Sequence, residues 1–242
     1  MVGGTGGMGA AVVQRFARSG ASVSFTYLRA EETARSMVAG FEADGLDVHA
    51  LACDLRDDAA VAAVVDAAAD DGGLDAVVLA AASGTQRRLD ASRPKHWDFT
   101  YAVNVRGLLS LYRAALPALA ARRGSLVATS ALGGERVIPS YGLVGAAKSA
   151  VESLVRYAAT EAGQYGVRVN AVRPGVFLSK AIQSFPDHER MVAAAIGNTP
   201  LGRLVEPDEV AAVVTWLVGP DAAMITGQTI TVDGGWELCA PL

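Results

Sequence analysis

A chain of 242 residues, 51% of them apolar, can fill one sizeable core and is short for two ordinary domains. Its 21 basic and 25 acidic residues leave a formal charge of −4, so no basic footprint argues for a nucleic-acid partner. No run of about 18 apolar residues and no charged leader is present, so neither a helical membrane span nor secretion is expected, and a cytoplasmic protein is.

Two cysteines, Cys53 and Cys239, are too few and too far apart for a disulfide framework and read as reduced thiols. His49, His96 and His188 are scattered, and no Cys/His group has metal-ligand spacing, so no metal is expected.

The chain opens with a glycine turn, "MVGGTGGMG", followed at once by an amphipathic helix. Strand-like and helical runs then alternate: strand 21–27, helix 30–45, strand 47–54, helix 57–70, strand 74–83, and a helix from Pro94 to about Arg122. Strand 124–131, helix 142–163, strand 167–175, helix 206–218 with Pro207 in its first turn, and strand 228–235 complete the series. Strands apolar on both faces and separated by helices predict an α/β fold: a Rossmann-like, doubly wound parallel sheet covered on both sides, in a single domain over 1–242. The only long stretch without a regular pattern, about 176–205, is expected to be a lid over a binding site.

Gly3, Gly7 and Gly9, with Thr5 and Met8 between them, stand where a backbone would approach a pyrophosphate at a helix N-terminus. Such a turn should follow a strand, yet only Met1 and Val2 precede it. The expectation is that the natural chain starts upstream; the alternative is a rearranged sheet. The second strand ends "TYLRAEE", without an acid at its tip to accept from a ribose 2′-hydroxyl. Arg29 there favours a 2′-phosphate, hence NADPH over NADH. Asp54 could accept from an adenine amino group or cap the turn that follows it.

The stretch "PSYGLVGAAK" places Tyr141 and Lys148 seven positions apart. Together with the glycine turn, "CDL" (53–55), "NV" (104–105), "NAVRPG" (170–175) and "TVDGG" (231–235), this segment resembles the short-chain dehydrogenase/reductases along essentially the whole chain. Most members place the tyrosine four residues before the lysine, where this chain has Val144. The wider spacing resembles the enoyl-acyl-carrier-protein reductases, and "NTPLGRLVE" with "GQTITVDGG" is similar to their NADPH-type branch, enoyl reductase III.

The resemblance implies Tyr141, Lys148 and Asn104 as catalytic residues. It implies a cofactor site from Gly3, Thr5, Gly7, Met8, Gly9, Arg29, Asp54, Leu55, Ala81, Lys148, Pro174, Gly175 and Ser179. Lys148 would hold the nicotinamide ribose and lower the Tyr141 phenol from about 10. Asn104 would kink its helix around a water and link to the lysine. Residues seven apart on a helix differ by about 20° and about 10 Å, those four apart by about 40° and 6 Å, so both spacings share a face. A hydroxyl moved one turn outward suits the distant thioester oxygen of a conjugated enoyl group, where charge develops on hydride addition.

Two departures stand out. Ala131 occupies the place of the family's catalytic serine, and the adjacent Ser130 should point to the opposite face of its strand. "LAAAS" (79–83) replaces the usual Asn-Asn-Ala-Gly turn. Ala131, Tyr141, Phe177, Ile182, Phe185 and Met191 are the candidate acyl-pocket lining, although core packing explains any one of the apolar four equally well. The leading expectation is an NADPH-dependent enoyl-thioester reductase acting on a small or carrier-bound acyl substrate. The others are a ketoreductase and a cofactor-binding protein without catalysis. The resemblance implies a homotetramer paired through the long helices at about 94–122 and 142–163.

Overall fold

The structure, a computed structural model, describes residues 1–69, 72–183 and 187–238, the side chains of 180 and 181 excepted. In chain order its elements are α1 (Gly7–Arg18), β1 (Val23–Tyr27), α2 (Glu31–Ala43), β2 (Val48–Ala52), α3 (Asp58–Ala68) and β3 (Ala76–Leu79). Then come α4 (Pro94–Tyr101), α5 (Gly107–Arg122), β4 (Ser125–Thr129), α6 (Gly142–Ala162) and β5 (Arg168–Pro174). The chain ends with α7 (Lys180–Gln183), α8 (His188–Asn198), α9 (Pro207–Val218) and β6 (Thr229–Val232).

All strand pairs are parallel, and helices cover both faces. The strand residues show why the runs are apolar throughout. Val77, Leu79, Leu126, Ala128, Val169 and Ala171 pack on one side with Val61, Leu111, Leu119, Val151 and Val155 from α3, α5 and α6. Their neighbours Val78, Val127 and Val172 pack on the other side with Val12 of α1 and Val210, Val214 and Leu217 of α9. Each fully buried side chain of this size contributes about 1.5–3 kcal/mol.

The expected single sheet is divided. One sheet has the order β1-β2, the other β3-β4-β5-β6. Among the described residues Met1 to Gly4 bridge them. The Val2 amide donates to the Val78 carbonyl (2.7 Å), the Thr26 amide to the Met1 carbonyl (2.9 Å) and the Gly4 amide to the Thr26 carbonyl (3.0 Å). Before these residues a cavity of about 450 Å³ separates β1 from β3, lined by Ser22, Val23 and Ser24 on one side and Ala76, Val77 and Val78 on the other. The strands on either side do not close on each other, so the sheet is not rearranged. At the cavity edge the Met1 ammonium donates to the Ser24 carbonyl (2.7 Å), and burial pulls it down from 8.0 to about 5.

Two other expectations are corrected. The helix read from Pro94 to Arg122 is interrupted by a π turn, Ala102–Arg106. The 176–205 segment, expected to be irregular, carries α7 and α8. Its ends are pinned together, since the Val205 amide donates to the Val176 carbonyl (3.1 Å). Among the thiols, Cys53 is free and buried; Cys239 lies outside the described residues.

Candidate active site

At the amino end the glycines are required by contact. Gly3 has φ +86°, and a Cβ on it would stand 2.6 Å from the Ala81 nitrogen. A Cβ on Gly9 would stand 2.1 Å from the Gly3 carbonyl oxygen. Gly3 and Gly9 thus press the turn against α1, while a Cβ on Gly7 would meet only ordinary contacts, Pro207 at 3.8 Å and Phe177 at 4.0 Å, and one on Gly6 would meet nothing within 4 Å. The Met8 side chain is buried with Val12 and Val78.

Next to the turn lies a cavity of about 370 Å³, lined by Gly3, Thr5, Tyr27, Arg29, Asp54, Leu55, Arg56, Ala81, Ser83 and Phe99 among others. Most of the residues expected at the adenosine end therefore do come together. Arg29 is exposed and makes no hydrogen bond or ion pair with the described residues. Asp54 caps the turn after its strand, one of the two roles expected of it: Oδ1 accepts from the Arg56 amide (2.9 Å), and the carboxylate also holds the Arg56 guanidinium through both oxygens (2.5 and 3.0 Å). That bond, with further help from Arg29, pulls Asp54 down from 3.8 to about 2. Arg56 was not singled out from the sequence; its place two residues after Asp54 was the available signal.

At the chemical end, Lys148 is buried in α6 and donates from Nζ to the Thr129 carbonyl (2.8 Å). Burial lowers it from 10.5 to about 8, partly opposed by the nearby Glu152. Tyr141 is the residue capping α6, with φ −108°, rather than a member of the helix. The helical projection from Lys148 therefore stops one residue short of it. Its ring lies over Gly133, where a Cβ would come within 2.5 Å of the ring. Val144, at the usual tyrosine position, is buried against Gly84. Burial pushes the Tyr141 phenol above its ordinary 10.0, opposite to the direction expected from a neighbouring lysine.

Asn104 forms part of the π turn and is buried. Its Nδ2 donates to the carbonyls of Ser83 (2.5 Å) and Thr100 (2.8 Å), and its Oδ1 is buried without a partner among the described residues. The kink expected of it is therefore present as a π turn. Ser130, just past β4, donates from Oγ to Glu152 (2.5 Å). Gly175 lies so close to Asp233 that a Cβ would meet it at 2.8 Å, and the Gly175 amide donates to the Val232 carbonyl next to Pro174 (2.8 Å). The Ser179 Oγ accepts from the Ile182 amide (3.2 Å), so it serves the start of α7.

The expected acyl lining is only partly gathered. Phe177 packs on the core beside Met8 and Gly7, at the nucleotide end. Ile182 and Met191 are half-buried, and Phe185 lies outside the described residues.

A glycine turn on a helix N-terminus, at the open end of a parallel sheet, marks the dinucleotide-binding class of α/β proteins. A family model described as enoyl-(acyl carrier protein) reductase matches residues 3–237. The chain is 33% identical to 1-cyclohexenylcarbonyl-CoA reductase of Streptomyces collinus, over 100% of this chain and 87% of that protein. It is 34% identical to the A-factor type gamma-butyrolactone 1'-reductase (1S-forming) of Streptomyces virginiae, over 98% of this chain and 94% of that one. Among solved structures, a variant of actinorhodin polyketide ketoreductase with NADPH superposes with a TM-score of 0.90 at 26% identity, covering 98% of this chain and 95% of that one. The chain belongs to the short-chain dehydrogenase/reductase superfamily and is an oxidoreductase of that family.

Proposed function

We propose that the protein reduces the conjugated double bond of an enoyl thioester, with NADPH as hydride source. The observation that carries this reading is the position of the phenol. Tyr141 stands a turn outside the usual place, which Val144 fills, and Ala131 and the committed Ser130 offer no hydroxyl beside it. The arrangement lacks the second donor that would grip a ketone oxygen next to the hydride acceptor. It supplies one donor farther out, suited to a thioester oxygen.

The residues fit a nicotinamide dinucleotide: the Gly3–Gly9 turn leaves room for phosphates, the 370 Å³ cavity suits an adenosine, and Arg29 is unpaired for a 2′-phosphate. When bound, the dinucleotide supplies a hydride to the substrate β-carbon. Tyr141 donates a hydrogen bond to the developing enolate oxygen, and the α-carbon then takes a proton from solvent to give the saturated thioester. Lys148, with donors left after Thr129, holds the ribose and keeps positive charge near that oxygen. Asn104 Oδ1 accepts a water that orders this corner. The 176–205 segment covers the acyl chain as a lid, and the thioester is borne by CoA or a carrier protein. A relative that bears the name of a cyclohexenylcarbonyl-CoA reductase supports the substrate class. Four chains associate through α5 and α6.

Ketone reduction is the second reading, favoured by the likeness to a gamma-butyrolactone reductase and a polyketide ketoreductase. The deciding measurement is NADPH absorbance with crotonyl-CoA and with a panel of ketones. Crotonyl-CoA should be turned over, and Tyr141→Phe should lower the rate by about 10²–10³-fold. Turnover of ketones alone would replace the first reading by the second. Arg29→Ala should raise the KM for NADPH about tenfold or more and leave that for NADH unchanged; equal effects would overturn the choice of cofactor.

A further inference from the structure

The segment that carries Ala131 to Tyr141 has little structure of its own. It contains one 3₁₀ turn, Leu132–Gly134, a left-handed Ser140 (φ 59°) and a Val137 that is 97% exposed. Yet Tyr141 must keep a fixed position relative to Lys148. Two of its side groups are tied down. Glu135 accepts from Arg173 Nη1 (2.6 Å), and Arg136 Nη2 donates to the backbone carbonyl of Glu237 (2.9 Å).

Arg173 and Glu237 are themselves an interior pair. The Arg173 side chain is 8% exposed and that of Glu237 is 10%. Arg173 Nη1 donates to both Glu237 oxygens (2.8 and 3.0 Å), while Nε and Nη2 grip Glu152 (3.0 and 2.8 Å). Glu152 in turn accepts from Ser130, the residue before Ala131. Glu237 is held in place by Asp233, which accepts from the Glu237 amide (2.7 Å) and the Gly235 amide (2.8 Å). Burial alone would lower Arg173, but the bonds from Glu152 and Glu237 outweigh it and the net direction is up.

A buried ionic group of this kind is weak evidence for stability, since burying charges opposes what their pairing gains; register is its best attested use. The start of the loop, through Ser130 and Glu152, and its middle, through Glu135 and Arg136, meet on it. We propose that Glu237, acting through Arg173, Glu135 and Arg136, is a positioning residue that sets Tyr141 over Gly133. The carboxy-terminal turn is thereby a clasp on the active-site loop. This inference deepens the reading of Tyr141 as the donor to substrate, and its first test does not depend on turnover.

The six tyrosines can be replaced biosynthetically by 3-fluorotyrosine, and the ¹⁹F line of residue 141 assigned by its loss in Tyr141→Phe. Glu237→Ala should split or broaden that line and leave the others in place. Glu237→Gln, which keeps an acceptor for Arg173, should shift it less, and serves alone if the alanine variant does not fold. An unchanged line in the folded variants would overturn the proposal, whatever the enzyme's substrate. With an active substrate, Glu237→Ala should lower kcat about tenfold with the Kd for NADPH within about twofold. Combined with Tyr141→Phe it should add no further loss, because it acts through that ring; additive losses would count against it.

Discussion

Lys148 is the most costly residue of the site. An ammonium is buried in the protein interior with one carbonyl bonded to it. The amine is at about 8 in the folded chain against 10.5 unfolded, so below pH 8 both states carry the proton and the folded state bears the whole desolvation penalty. Between pH 8 and 10.5 the unfolded chain holds more protons, and this residue's contribution to stability improves as pH rises. At about 1.4 kcal/mol per unit the penalty is about 3 kcal/mol. Lys148→Met should therefore stabilise the cofactor-free protein by about that much at pH 7, and by much less above pH 10, while removing turnover. Urea melts at the two pH values check it. A methionine variant no more stable than wild type at pH 7 would contradict the burial argument.

Two elements differ from what periodicity suggests. The helix from Pro94 is broken at Ala102–Arg106 because Asn104 turns inward to the Ser83 and Thr100 carbonyls, and an extra residue per turn accommodates it. The sheet is divided in this chain, with Met1 to Gly4 bridging β1 and β3. By the alternation of a parallel ladder, the Ser24 and Val78 amides face the 450 Å³ cavity instead of a neighbour. The β1–β2 pair should then open as its own unit. Native-state hydrogen exchange should be about tenfold slower in β4 and β5 than in β1 and β2. Equal protection in both sheets would show that the bridge of Met1 to Gly4 is link enough.

Across the whole molecule, α5 and α6 present a groove lined by Leu108, Leu109, Tyr112, Leu154, Tyr157 and Ala158. Leu109 is 45% exposed and Tyr157 68%, both large apolar groups on one face. The proposed homotetramer covers this face. Leu109→Glu, which touches neither the glycine turn nor Lys148, should reduce the sedimenting mass of the protein. An unchanged sedimentation coefficient would remove this face from the assembly. No helix among the described residues is long and apolar enough to cross a membrane.

The order of strands and helices and the glycine turn were legible in the residues, because local periodicity carries them, whereas Asn104, Tyr141 and Lys148 as site residues came from the family resemblance and stand as a proposal. The two-residue period of a strand separates Ser130 from Ala131, and Ser130 is found bonded to Glu152. What lay beyond reach depends on contacts between distant parts of the chain. Arg56 takes up the carboxylate of Asp54, Phe177 packs at the nucleotide end, and Glu237 meets Arg173 from 64 residues away. Tyr141 stands at the cap of its helix because Gly133 leaves room for the ring, a fact of packing that no interval between two residues contains.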